Sequence, residues 1–206
     1  RVAERILLEP QAERVFVRIE KLDRGPFALG VEIVRSRDGQ SHAGQDHQEA
    51  PHPRIVYLTR AATAAPPLRG WIDTLADMGA PLVICVGAPD LATPQTGHAM
   101  TQRRIDLLSI EQNAWVLAAR DLRCKVVETR TELDWAMKNN QICVWAPSKI
   151  VLDAVDGPSA TARNALALAS WFADEMNAKE LLVIGGDAPT ARVPVRAIPV
   201  DQVKLK

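Results

Sequence analysis

The alternation of apolar and polar positions changes texture twice along the chain. Residues 13–20 (ERVFVRIE) alternate Val15, Val17 and Ile19 with polar positions, the period of a half-buried strand. Asp23-Arg24-Gly25-Pro26 is turn chemistry, and residues 27–34 (FALGVEIV) alternate again, so an antiparallel hairpin is expected. Then the apolar positions stop. Residues 35–53 are rich in Ser, Gly, Gln, Asp and His and cannot bury enough surface to offset their ordering entropy. A hairpin appendage over 1–36 and a flexible linker over 37–53 follow.

From Arg54 the pattern is that of an α/β domain, 54–206. Residues 55–58, 82–86, 142–145 and 181–184 are apolar on both sides of the pleat, as in strands covered on both faces, and 125–127 is a further short strand. Pro66 and Pro67 suit the first turn of a helix carrying Leu68, Trp71, Ile72, Leu75 and Met78 on one face, which Gly79 ends. A long helix over 100–122 presents Ile105, Leu108, Gln112, Trp115 and Ala119 inward. Thr131 caps the next helix, with Asp134 three residues on in the manner of a capping box. After strand 142–145 comes a loop, then a helix with Ala165, Leu168, Phe172 and Met176 on its inner face. Asn177 stands at its left-handed stop. The Pro-rich tail adds an edge strand. The order βαβαβαβαβ predicts an open, mainly parallel sheet with helices on both faces, and activity at the carboxyl ends of its strands.

Composition narrows the function classes. The 206 residues hold 47% apolar and 24% charged side chains, with 25 basic and 25 acidic groups and zero formal net charge. No basic footprint for nucleic acid exists, and one Tyr and three Phe offer little stacking surface. Trp71, Trp115, Trp135, Trp145 and Trp171 all fall on helix or strand patterns, where packing in a core or interface is their expected use. No apolar run approaches the ~20 residues that span a bilayer. No leader pattern opens the chain at Arg1, and a cytoplasmic protein is expected. Cys85, Cys124 and Cys143 lie in or beside apolar strands without a C-x-x-C pair, which reads as buried thiols in a reducing compartment. His42, His47 and His52, with Asp46 and Glu49, could ligate a transition metal. A solvated tract lacks the rigid surroundings such a site needs, so no metal is assigned.

Residues 55–187 resemble the amino-acid kinase superfamily, which includes carbamate, acetylglutamate, aspartate and uridylate kinases. The features that carry the likeness are IVYLTRAAT…LRGWIDTLADMGAPLV, VGAPDLA, VWAPSKIVL and, most specifically, ALALASWFADEMNAKELLVIGG. The likeness is greatest to short, single-domain small-molecule kinases of methylotroph and methanogen cofactor pathways. It implies an amino-acid kinase-like sandwich, a place in a one-carbon (methanofuran-type) cofactor pathway, and assembly into oligomers.

The family's chemistry does not carry over residue by residue. Its first strand ends in Lys and then Gly-Gly-Ser; here stand Tyr57 and Thr59-Arg60-Ala61-Ala62. Its Gly-Gly-Gly loop is Gly87-Ala88-Pro89, and Pro89 has no N–H to donate. Its Thr-Ser-Asp before the last helix is Asn164-Ala165-Leu166, and its final lysine falls at Gly185. The likeness therefore implies a catalytically degenerate protein acting as a ligand-binding, partner or regulatory subunit, with no catalytic residues assigned. Its crevice would be lined by Thr59, Arg60, Gly87, Asp90, Arg163, Asn164 and Gly186, with both arginines able to receive a small anion. Partners would be a second copy or an active kinase-like paralogue. The alternative is an active kinase with a rebuilt site, taking ATP and Mg through Lys149, Asp90 and Asp187.

Overall fold

The computed structural model describes residues 2–21, 29–37, 51–158 and 163–203. The chain divides into two compact units, Arg1–Glu49 and Ala50–Lys206.

In the first unit a short helix α1 (Val2–Ile6) accompanies an antiparallel pair, β1 (Arg14–Lys21) and β2 (Leu29–Ser36). The Arg37 guanidinium donates to the Glu9 and Ala12 carbonyls and ties the end of β2 to the turn after α1. The alternating face is buried only at one end. Val15 is buried, whereas Ile19 and its cross-strand partner Val31 are exposed. On the other face Arg18 pairs with Glu32 directly opposite, at 2.7 Å. The expected turn at 23–26 lies outside the described residues, as do His42, His47, Asp46 and Glu49.

The second unit holds a six-stranded sheet in the order β5-β6-β4-β3-β7-β8, every neighbouring pair parallel. Its strands are β3 (Arg54–Leu58), β4 (Leu82–Val86), β5 (Lys125–Val127), β6 (Cys143–Trp145), β7 (Glu180–Ile184) and β8 (Val195–Ile198). Every residue of β3 and β4 is buried, and the three thiols lie in the core. Between the strands run α2 (Arg60–Ala64), α3 (Leu68–Ala76), α4 (Ala99–Arg120), α5 (Arg130–Lys138), α6 (Ser148–Asp153) and α7 (Ala165–Glu175). Connections from β3 to β5 step one way across the sheet, and those from β5 to β8 step back. Right-handed crossovers then put α3 and α4 on one face and α5 and α7 on the other. Ion pairs join helices of one face: Arg123, just past α4, reaches Asp73 in α3 at 2.7 Å, and Arg130 in α5 reaches Glu175 in α7 at 3.4 Å. β8, between Pro194 and Pro199, is the edge strand expected of the tail.

Several local expectations need correction. The cap of α5 is Thr129, whose hydroxyl accepts from Glu132 N–H at 3.1 Å while Glu132 Oε2 accepts from Thr129 N–H. Two T-x-x-acid boxes overlap here, and glutamate has the extra methylene needed to reach back. Helices α2 and α6 occupy stretches read as loops, because five or six residues are too few to display a period. The largest correction concerns α4. Its buried face is Leu107, Ile110, Ala114, Leu117 and Ala118, while Leu108 and Trp115 are exposed. On α7 Ala165, Leu168 and Phe172 are buried as expected, with Ala169 and Ala173 added, while Met176 is half-buried just past the helix end. Asn177 has φ 46°, the left-handed stop, and Asn140 (φ 51°) ends α5 in the same way.

Candidate functional site

The chain leaves β3 toward β4 and leaves β7 toward β8, so the carboxyl ends of these adjacent strands flank the switch point of the sheet. In open α/β sheets that crevice is where ligands bind. Here Thr59 and Val200 pack against Gly185 at the strand ends. Thr59, the cap of α2, accepts from Ala62 N–H at 3.4 Å and donates its hydroxyl to the Ile184 carbonyl at 3.1 Å. Its own N–H also donates to Ile184 O, at 3.2 Å. Gly185 follows at φ 87°, and a Cβ there would collide with Thr59 Oγ1 and with Val200 Cγ2 from the tail. Only glycine fits both the backbone angle and the space. Gly186 lies against the same threonine: its Cβ would stand 3.3 Å from Thr59 Cγ2.

The segment between β4 and α4 gathers the remaining candidates. Gly87 O accepts from Asn113 Nδ2 at 2.7 Å, and Tyr57 Oη stands 3.0 Å from where a Gly87 Cβ would be. Burial, with Cys85 beside it, pushes the Tyr57 phenol up. Arg60 and Asp90 form an ion pair, both side chains largely exposed. Arg163 donates to Asp106 Oδ2 at 3.2 Å and to Gln95 Oε1 at 2.7 Å. Asp106 is buried and also accepts from Gln102 at 2.9 Å. Asn164 uses its side chain to cap α7, accepting from Ala167 N–H at 3.0 Å. Thus Thr59 and Gly186 meet, Arg60 and Asp90 meet, and Arg163 is held by the β4–α4 segment. Each of the two arginines has a carboxylate partner, and both side chains stay largely exposed.

Further along the same edge, Ser148 N–H donates to Glu111 Oε1 at 2.8 Å, and Lys149 pairs with Asp153 one turn on at 2.8 Å. Glu128, just past β5, has its carboxyl pushed up by loss of hydration and then by Glu132 and Glu111. Among the described residues no group of three His, Cys, Asp or Glu side chains is placed to hold a metal ion, and no helix is long and apolar enough to cross a membrane.

Asp106, Asn113, Gln95 and Val200 were not singled out by sequence pattern. Asp106 and Asn113 belong to the helix whose inner face periodicity misplaced, and Val200 reaches the crevice only through the return of the tail beside β7. No protein-family model matches the chain, and no curated protein matches it.

Proposed function

We propose that the chain is a catalytically degenerate protein of the amino-acid kinase type, acting as a binding or regulatory subunit rather than a phosphotransferase. The observation that carries this reading is the packing at the switch point, where the Thr59 and Val200 side chains lie against Gly185 in place of a phosphate-cradling backbone loop. Phosphoryl transfer depends on backbone amides and cations aimed at the phosphates. At this edge the N-terminal turn of α2 is capped by its own threonine, and Arg60 and Arg163 are neutralised by Asp90 and Asp106. A small anion would compete with those carboxylates, so a partner protein is the favoured ligand class. A role beside an active kinase-like paralogue in one-carbon cofactor synthesis fits the sequence resemblance.

Melting with and without Mg-ATP tests the reading, because a ligand that binds only the folded state must raise its stability. No shift in Tm and no ADP release are expected. A clear rise in Tm accompanied by ADP formation would instead establish the rebuilt kinase, with Lys149, Asp90 and Asp187 as the first residues to replace.

A further inference from the structure

The hairpin of the first unit lies outside residues 55–187, which carry the family resemblance. Among the described residues β2 is the strand beside β1, and each of the two has one neighbour. Two strands alone are marginal in water, and a further strand on an open edge is what such a sheet lacks. The Arg37 N–H donates to the Glu13 carbonyl at 2.9 Å, which makes 13/37 a hydrogen-bonded pair. Carried along the register from Arg14↔Ser36 to Lys21↔Leu29, this turns the N–H and C=O of Val15, Val17, Ile19 and Lys21 toward β2. Those of Arg14, Phe16, Arg18 and Glu20 turn outward. On the apolar face Val15 is buried and Val17 half-buried, whereas Ile19 is 57% and Val31 63% exposed.

We propose that the outer edge of β1 is a dimer interface, paired antiparallel with β1 of a second copy about a two-fold axis at Val17. Residues 13–21 (ERVFVRIEK) are self-complementary about that residue. Reversed on itself, the strand sets Glu13 against Lys21, Arg14 against Glu20, Val15 against Ile19 and Phe16 against Arg18. The Phe16 ring already receives a cation, the Arg14 guanidinium 5.1 Å from its centroid. Outward-facing residues meet outward-facing residues, 14 with 20 and 16 with 18, so the backbone bonds close as well. Centring the axis on Phe16 or on Arg18 would instead set arginine against arginine. The outward positions of β2 are Gly30, Glu32, Val34 and Ser36, and no register there gives Glu32 an opposite charge. The pairing also lays the bare end of each apolar face, at Ile19, beside the covered end of the other, at Val15. A foreign strand would not require β1 to match its own reverse; an isologous contact does. Strand addition of this kind takes affinity from main-chain bonds and register from side-chain pairs. The inference stands independently of whether the second unit binds ATP.

Sedimentation equilibrium of the full chain at tens of micromolar should show a dimer. Arg14→Glu and Glu20→Arg should each weaken it by at least ~10-fold, because both symmetry-related pairs become like-charged. Mixing the two variants should restore dimerisation, since each chain then supplies the charge that the other lacks. A Val17→Cys variant should form an intermolecular disulfide on mild oxidation: residue 17 meets its equivalent as a non-hydrogen-bonded pair, close enough for the bond, and the three native thiols are buried. A monomer throughout would overturn the proposal, whether the edge is then taken by a different protein or by another part of the same chain. A dimer indifferent to both charge reversals, a mixture that stays dissociated, or a Val17→Cys dimer that does not crosslink would equally overturn it.

Discussion

Helices α4 and α7 make an instructive pair. Both cross from one strand to the next in a parallel sheet, and both are rich in apolar residues. On α7 the apolar positions form one continuous surface that settles on β3, β4 and β7. Phe172 is fully buried and stacks on Trp145 of β6 with centroids 4.0 Å apart and planes 8° from parallel. Ser170 donates to the Thr190 carbonyl at 2.6 Å, and Asp174 accepts the Arg192 and Val193 N–H groups, so α7 also guides the chain into β8. On α4 the apolar positions form two rows, and the sheet takes only one. An amphipathic period therefore identifies a helix and its candidate faces, but a helix with two such faces needs a second fact before its orientation is known.

The sharpest test of α7 is Phe172→Ala. Removing a fully buried ring that stacks on Trp145 should cost about 3–5 kcal/mol in denaturant unfolding. A cost under ~1 kcal/mol would mean that α7 is not seated on the sheet as described.

Adjacent leucines sharpen the reading of α4. Leu107→Ala should lose about 2–4 kcal/mol because Leu107 is fully buried. Leu108→Ala, at a position half exposed, should change chain stability by under ~0.5 kcal/mol when unfolding is followed at high dilution. Equal costs at the two sites would show that the helix does not present distinct faces.

The smallest effect concerns how α4 ends. Asp121 is buried at its C-terminus, and the Arg123 guanidinium beside it, reaching Asp121 at 2.5 Å and Asp73 at 2.7 Å, holds its carboxyl down to about 2. A carboxylate whose folded pKa is depressed contributes stability that is fully present above its unfolded value of about 4. That contribution drains away as pH falls from about 4 toward about 2. Asp121→Asn should cost about 1–2 kcal/mol at neutral pH, and its unfolding free energy should fall less steeply across that acid window. An unchanged pH slope would detach the pair from the seating of α4 against α3.

Much of the second unit was legible in the chain. Runs such as IVYL, LVICV and LLVI are apolar on both sides of the pleat, and only a sheet covered on both faces can accommodate them. The antiparallel pairing of β1 and β2, the edge strand between two prolines and the left-handed stop at Asn177 likewise follow from residue chemistry. The candidate site was legible in its ingredients but not in its arrangement. Thr59, Arg60, Gly87, Asp90, Arg163 and Gly186 could be assigned to strand ends and the loops around them. That Arg60 would meet Asp90 and Arg163 would meet Asp106 could not, since ion pairs between distant segments leave no periodic trace. The kinase reading was weakened in sequence by missing lysines; the packing of Thr59 and Val200 against Gly185 could not be read there.

By itself, then, the sequence determined the strands of the sheet, the longer helices and where α7 stops, because those outcomes depend on local period, capping and allowed backbone angles. Tertiary structure alone decided which row of α4 turns inward and what fills the switch point. Both are choices among locally equivalent surfaces, and they are made by whichever neighbour arrives from elsewhere in the chain: the sheet beneath Leu107, and Val200 beside Thr59.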